Sequence, residues 1–201
     1  MRKIKRYVGI DPSSVTGFYI QDGEGKTVVE ADVFYEYKVD PERMIHIADT
    51  IIEQLNINTD IICIEGFSYD SKGRGIAYQF GMGYVLRENL QRNGFTYYEV
   101  TPSGVKKFAT GNGRAKKEHM IEPIRERFGF YHPSDNIRDA YVLSEIAKAI
   151  DLGKDYNYIN RYESDTVYTV KNGVLNSGEW KKTKLPDWMN PRSKYYFTRE
   201  Q

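Results

Sequence analysis

Two short apolar runs, each closing on an acid, constrain this chain more than any other feature: YVGID at 7–11 and IICIE at 61–65. Runs of this length are too short for a helix and too continuously apolar for a half-exposed strand, so both read as strands covered on two faces. Residues 5–11 therefore form the first strand and 60–65 a central one, with Asp11 and Glu65 at their ends. Between them lie the turn PSSVTG (12–17), a strand at 18–21, the hairpin turn DGEG (22–25) and a strand at 27–37, an antiparallel meander. Asp40 as N-cap with Pro41 in the first turn, then Met44, Ile47, Ala48, Ile51, Ile52 and Leu55 at helical spacing, gives a helix over 41–55.

Beyond Glu65 the pattern alternates. Residues 73–92 read as a long helix whose Gly81 and Gly83 admit close approach of another helix, a candidate dimer surface. A strand at 95–100, a short helix at 102–109, a loop at 111–113 and a helix at 115–128 follow. A last helix starts at a cap on Ser134 or Asp135 and runs through Ile150, with Ala140, Leu143, Ile146, Ala147 and Ile150 on its apolar side. The fold class is α/β, with one domain over 1–150. Residues 151–201, with alternating stretches such as 166–170, read as an appended β-rich or irregular extension.

Composition limits the function classes. The chain has 201 residues, of which 40% are apolar and 14% aromatic, enough for a single buried core. Its formal charge of +1 excludes a polycation or an acidic tail. The lone cysteine, Cys63, sits inside an apolar strand, which suggests a reduced thiol and a cytosol-like compartment. No apolar stretch is long enough to span a bilayer, so secretion and membrane insertion are not expected. Charge is unevenly spread, however. Residues 22–65 carry eleven acids against Lys26, Lys38 and Arg43, whereas 101–130 carry Lys106, Lys107, Arg114, Lys116, Lys117, Arg125 and Arg127 against three acids. Residues 171–201 again mix lysines and arginines with Trp180, Trp188, Tyr195, Tyr196 and Phe197. Basic segments interleaved with aromatics are one signature of a nucleic-acid surface, and also describe a solvated face with anchoring rings.

The acids suggest chemistry. Neighbouring strand ends bring Asp11 and Glu65 together, and Asp139 lies early in the last helix with Asp135 four residues before it on the same face. Four clustered carboxylates repel one another unless a cation joins them. An all-oxygen set without His or Cys favours Mg²⁺ or Mn²⁺ over zinc, and two such ions suit phosphodiester hydrolysis. Strand-end acids also occur as simple turn residues. His46, His119 and His132 are scattered singly and read as surface or packing residues.

Four stretches in order resemble the RuvC-type Holliday junction resolvases of the ribonuclease H-like superfamily: GIDPSSVTG (9–17), IEGF (64–67), TPSGVKKFATGNGRAKKE (101–118) and DNIRDA (135–140). The resemblance runs from Tyr7 to about Ile150, and a stand-alone, phage-like relative is the nearer match. It implies a ribonuclease H-like fold, a mixed five-stranded sheet flanked by helices. It also implies Asp11, Glu65 and Asp139 as ligands for Mg²⁺ or Mn²⁺, two ions per site, and Lys106 and Lys117 as contacts to DNA phosphates. Lys107, Arg114 and Lys116 extend that basic surface. The family's fourth ligand, three residues before the last Asp, falls here on Asn136, so either Asp135 or the Asn136 carbonyl stands in for it. The family's wedge aromatic falls on Ser68, between Phe67 and Tyr69, and Tyr69 is the candidate. The implied partners are branched DNA, four-way junctions above all, and a second copy of the chain in a homodimer. The implied setting is cytoplasmic, that of the bacterial host if phage-encoded.

Alternatives differ in class. A branched-DNA-binding module with weak or no cleavage would share the basic segment, and a ribonuclease H-like nuclease acting on flaps or hybrids would share the acids. Actin-like ATPases and sugar kinases share the opening meander, but they need a duplicated half for which 201 residues leave little room. Lys72, Arg74 and Arg87, on or beside the long helix, are candidates for tracking a DNA backbone or for plain solvated charge.

Overall fold

The computed structural model describes residues 4–37, 39–68 and 75–172. Five strands form one sheet: β1 (Arg6–Asp11), β2 (Thr16–Asp22), β3 (Thr27–Val33), β4 (Asp60–Glu65) and β5 (Tyr97–Val100). Their order is β3-β2-β1-β4-β5, with β1, β2 and β3 antiparallel in a meander and β4 and β5 parallel to β1. The expected third strand stops at Val33, short of 37.

Side-chain alternation splits the core in two. Val8, Ile10, Ile62 and Ile64 face α1 (Glu42–Gln54) and α2 (Ile76–Arg92), whose Met44, Ile47, Ile51, Met82, Leu86 and Leu90 complete that layer. Tyr7, Tyr19 and Cys63 face the other way, onto α5 (Asp135–Leu152). Behind α5 pack α3 (Pro102–Thr110), α4 (Ile121–Phe128) and α6 (Arg161–Lys171). The antiparallel meander needs only hairpins, while the parallel β4 and β5 need the crossovers that α1 and α2 supply. Cys63 is free and fully buried, as its apolar run suggests.

The approach of α5 to the sheet depends on two glycines. A Cβ on Gly9 would lie 1.8 Å from the Ala140 carbonyl oxygen, and one on Gly17 would lie 2.1 Å from that of Asn136. With hydrogen there instead, the helix backbone sits directly on β1 and β2. As a result α5 is buried almost all round, Arg138, Asp139, Ser144 and Glu145 included, and not along one apolar side as expected. The polar groups are paired: Gln21 donates to Ser144 and Glu145, and Tyr156 donates to Glu145 at 2.8 Å.

Several local expectations differ from the structure. Pro41, not Asp40, is the residue before α1, and the Asp40 carboxylate accepts two hydrogen bonds from Arg43. The expected helix at 115–128 is a 3-10 turn, Lys117–Met120, followed by α4. Gly81 does admit another helix, α1, whose Met44 lies against it, while Gly83 packs against Phe67. The largest correction concerns the region after Ile150: residues 161–171, including 166–170, form helix α6 and not strands. Alternating Thr and Val suit a strand in isolation, but Val167 is drawn into the core and Glu163, fully buried, pairs with Arg127 of α4 at 2.8 Å. The remainder of the expected extension, 173–201, lies outside the described residues. Among the described residues no helix is long and apolar enough to cross a membrane.

Candidate active site

The site is assembled at the ends of β1 and β4. Arg6 to Ile10 pair in parallel with Asp60 to Ile64, so one residue further Asp11 and Glu65 emerge side by side, both on the α5 face. Helix α5 brings the third acid. Its start is fixed by Ser134, whose hydroxyl accepts from the Ile137 amide and donates to Asp32, and by His132, whose Nδ1 accepts from the Ser134 amide. Arg138 donates to the carbonyls of His132 and Pro133 at 2.7 and 2.9 Å, pinning the preceding loop. His132 is thus a packing residue. One turn on, Asp139 faces Asp11 across the gap that Gly9 and Gly17 keep narrow.

Asp11, Glu65 and Asp139 line an open cleft of about 220 Å³ together with Ser13, Ser68, Gln79, Lys106, Lys117 and Asn136. Asp11 and Asp139 are each only 8% exposed. Burial, reinforced by the Asp139 charge, pushes Asp11 up to about 7. Burial likewise lifts Asp139 to about 6 and, with repulsion from Asp11, holds Glu65 well above the usual carboxylate range. The Lys117 ammonium pulls all three the other way. Lys117 forms an ion pair with Asp135 and lies 3.9 Å from Asp139 Oδ2.

Among the described residues no three carboxylate, imidazole or thiol groups are drawn together tightly enough to enclose an ion in this arrangement. The donor set nevertheless fits a hard divalent cation in its chemistry. Three mutually repelling carboxylates, Asp11 and Asp139 buried and Glu65 half-buried, share one cleft, and no imidazole or thiolate lines it.

No family model matches the chain, and no curated protein matches it by sequence. Solved structures do. The chain is similar to T. thermophilus RuvC in complex with a Holliday junction substrate, with a TM-score of 0.57 and 19% identity over 70% of this chain and 90% of that one. A second Thermus thermophilus RuvC structure gives a TM-score of 0.55 and 16% identity, covering 74% and 95%. The chain has a RuvC-like, ribonuclease H-like fold.

Within the RuvC-like fold, the basic residues singled out from sequence divide into two sets. Lys106 and Lys117 line the cleft, Lys106 from α3, whose first turn is capped by Thr101 accepting from the Gly104 amide at 3.0 Å. Lys107, Arg114 and Lys116 are outside the lining; Arg114 and Lys116 are exposed, and Lys116 sits 4.0 Å from Glu118. Asp135 is also outside it, paired with Lys117, whereas Asn136 is within it. Tyr69, Lys72 and Arg74 lie outside the described residues. Phe67 is held in a stack with Phe80, ring centroids 4.9 Å apart, and beneath the Arg87 guanidinium.

Arg87 is buried and is no backbone-tracking cation. It donates to the Glu65 carbonyl oxygen at 2.9 Å, to Gly83 O at 2.9 Å and to Glu99 at 2.6 Å, clamping the end of β4 from α2. That role was invisible in sequence because it is defined by a backbone acceptor 22 residues away. Gln79 was missed for a related reason: nothing in the weakly patterned α2 marks which polar residue reaches the cleft.

Proposed function

We propose that this protein is a divalent-metal-dependent endonuclease that nicks four-way junctions and other branched DNA. One observation carries the reading: Asp11, Glu65 and Asp139, withdrawn from water and mutually repelling, share a cleft with Lys106 and Lys117 in a RuvC-like fold. Those acids would hold Mg²⁺ or Mn²⁺, two ions in all, with Asp135 or Asn136 as the candidate fourth donor. When bound, the cations supply the charge that activates water and stabilises the leaving oxygen.

The chain's own residues do the rest. Lys106 and Lys117 present ammonium groups at the cleft where a phosphate would lie, and Lys107, Arg114 and Lys116 extend the positive surface around it. Arg87 holds the Glu65 end of β4 in place. Hydrolysis would leave a 3′-hydroxyl and a 5′-phosphate. A homodimer would set two clefts against the two-fold pseudo-symmetry of a junction and allow paired nicks. The nuclease domain is assigned to residues 1–150, with α6 of the following segment 151–201 packed onto its core, and the setting to the cytoplasm.

End-labelled four-way junction, duplex, flap and RNA:DNA hybrid, incubated with the protein in Mg²⁺ and in Mn²⁺ beside Asp139→Asn, tests this. Symmetric junction nicks that vanish in the variant are expected. Junction binding without cuts would replace the enzyme with a binding module, and cuts confined to flap or hybrid would keep the site and change the substrate.

A further inference from the structure

Among the described residues Lys117 is the cation that forms an ion pair with a cleft acid, and it has two competing partners. Its ammonium is ion-paired with Asp135 and stands 3.9 Å from Asp139 Oδ2. The two acids are not equivalent. The Asp135 side chain is 42% exposed and outside the cleft lining, whereas Asp139, its side chain 11% exposed, is part of that lining. Lys117 belongs to a 3-10 turn and its side chain is 52% exposed, so little packing fixes the ammonium. An unanchored ammonium beside two buried carboxylates and a third on the same floor would settle onto them, since attraction between charges grows as water is excluded.

Of the two candidate fourth donors, Asn136 lines the cleft, and the geometry points to Asp135 instead as a positioning residue that latches Lys117 to the rim and so keeps Asp139 free for a divalent cation, without itself touching that cation. This inference rests on the metal-dependent reading given above. It separates two roles that sequence spacing merges: Asp135 and Asp139 lie on one helical face, yet one holds a lysine and the other lines the floor. It also gives Lys117 a defined resting place from which to meet a DNA phosphate.

A double-mutant cycle on the full chain distinguishes a latch from a ligand. Mn²⁺ binding is measured by titration calorimetry in the absence of DNA for the unaltered protein, Asp135→Asn, Lys117→Met and the double variant, with thermal melts confirming that each is folded. A latch predicts that Asp135→Asn weakens Mn²⁺ binding about fivefold when Lys117 is present and changes it less than about twofold in the Lys117→Met background. Lys117→Met alone should bind Mn²⁺ at least as well as the unaltered protein. Equal weakening by Asp135→Asn in both backgrounds would make Asp135 a direct ligand and overturn the latch, as would no weakening in either. If the unaltered protein takes up no Mn²⁺, the metal-dependent reading itself falls and the latch falls with it. Loss of cleavage with Mn²⁺ binding intact would fault only the assignment of activity.

Discussion

The three acids at the strand ends illustrate how a side chain can be placed where its charge is costly. Asp11 titrates near 7 and Asp139 near 6 because water is excluded and like charges are close. The folded, metal-free protein therefore binds protons that the unfolded chain has released above about pH 4. Stability from this source is present at low pH and lost as pH rises through about 7. Asp11→Asn should accordingly stabilise the metal-free protein at pH 8, by on the order of 2 kcal/mol, and by less at pH 5. Urea denaturation at both values, with chelator present, checks the sign; equal effects at the two pH values would contradict the burial of this carboxylate. Asp139→Asn should abolish cleavage while leaving junction affinity nearly unchanged, because Lys106 and Lys117 remain.

At the scale of elements, the site depends on how closely α5 and α2 grip the sheet. Gly9→Ala drives a methyl group into the Ala140 carbonyl, a backbone atom that cannot rotate away, so α5 must lift from β1. A loss of about 3 kcal/mol is expected, read as a lower denaturation midpoint with an unchanged slope. Arg87 grips from the other side, donating to Glu65 O, Gly83 O and Glu99. Arg87→Lys keeps the charge but not the fork, and a single ammonium cannot serve three separated acceptors. Cleavage by Arg87→Lys should fall at least about tenfold with Mn²⁺ binding weakened in parallel, since Glu65 is no longer held level with Asp11. Wild-type rates in that variant would show the clamp to be structural only.

Across the whole molecule the charges nearly cancel, at +1, so the net charge supplies little long-range attraction to DNA, and the proposed binding rests on the local basic surface. If about five of its cations meet phosphates, the logarithm of affinity should fall against the logarithm of salt with a slope of about −4.5, measurable by anisotropy of a labelled junction. A slope near zero would remove the basic segment from the interface. The same separation of local from global decides what was legible beforehand. The sheet was readable because YVGID and IICIE are continuous apolar runs with acids at their ends, and a period of two leaves no doubt which residues share a face. The meander, the crossover helix α1 and the pairing of Asp11 with Glu65 followed from that pattern and from turn chemistry, all encoded within a few residues. Helix α6 was not readable: its Thr and Val alternate as in a strand, and only burial of Val167 and the Glu163–Arg127 pair make a helix of it. Nor was the division of labour between Asp135 and Asp139, or the grip of Arg87 on a carbonyl 22 residues away. The sequence by itself determined which acids stand at strand ends and which strands present them, because those depend on local periodicity. Only the tertiary structure decided which acid lies on the cleft floor and which cation faces it, because distances between chain-remote groups exist only once α5 has closed on the sheet.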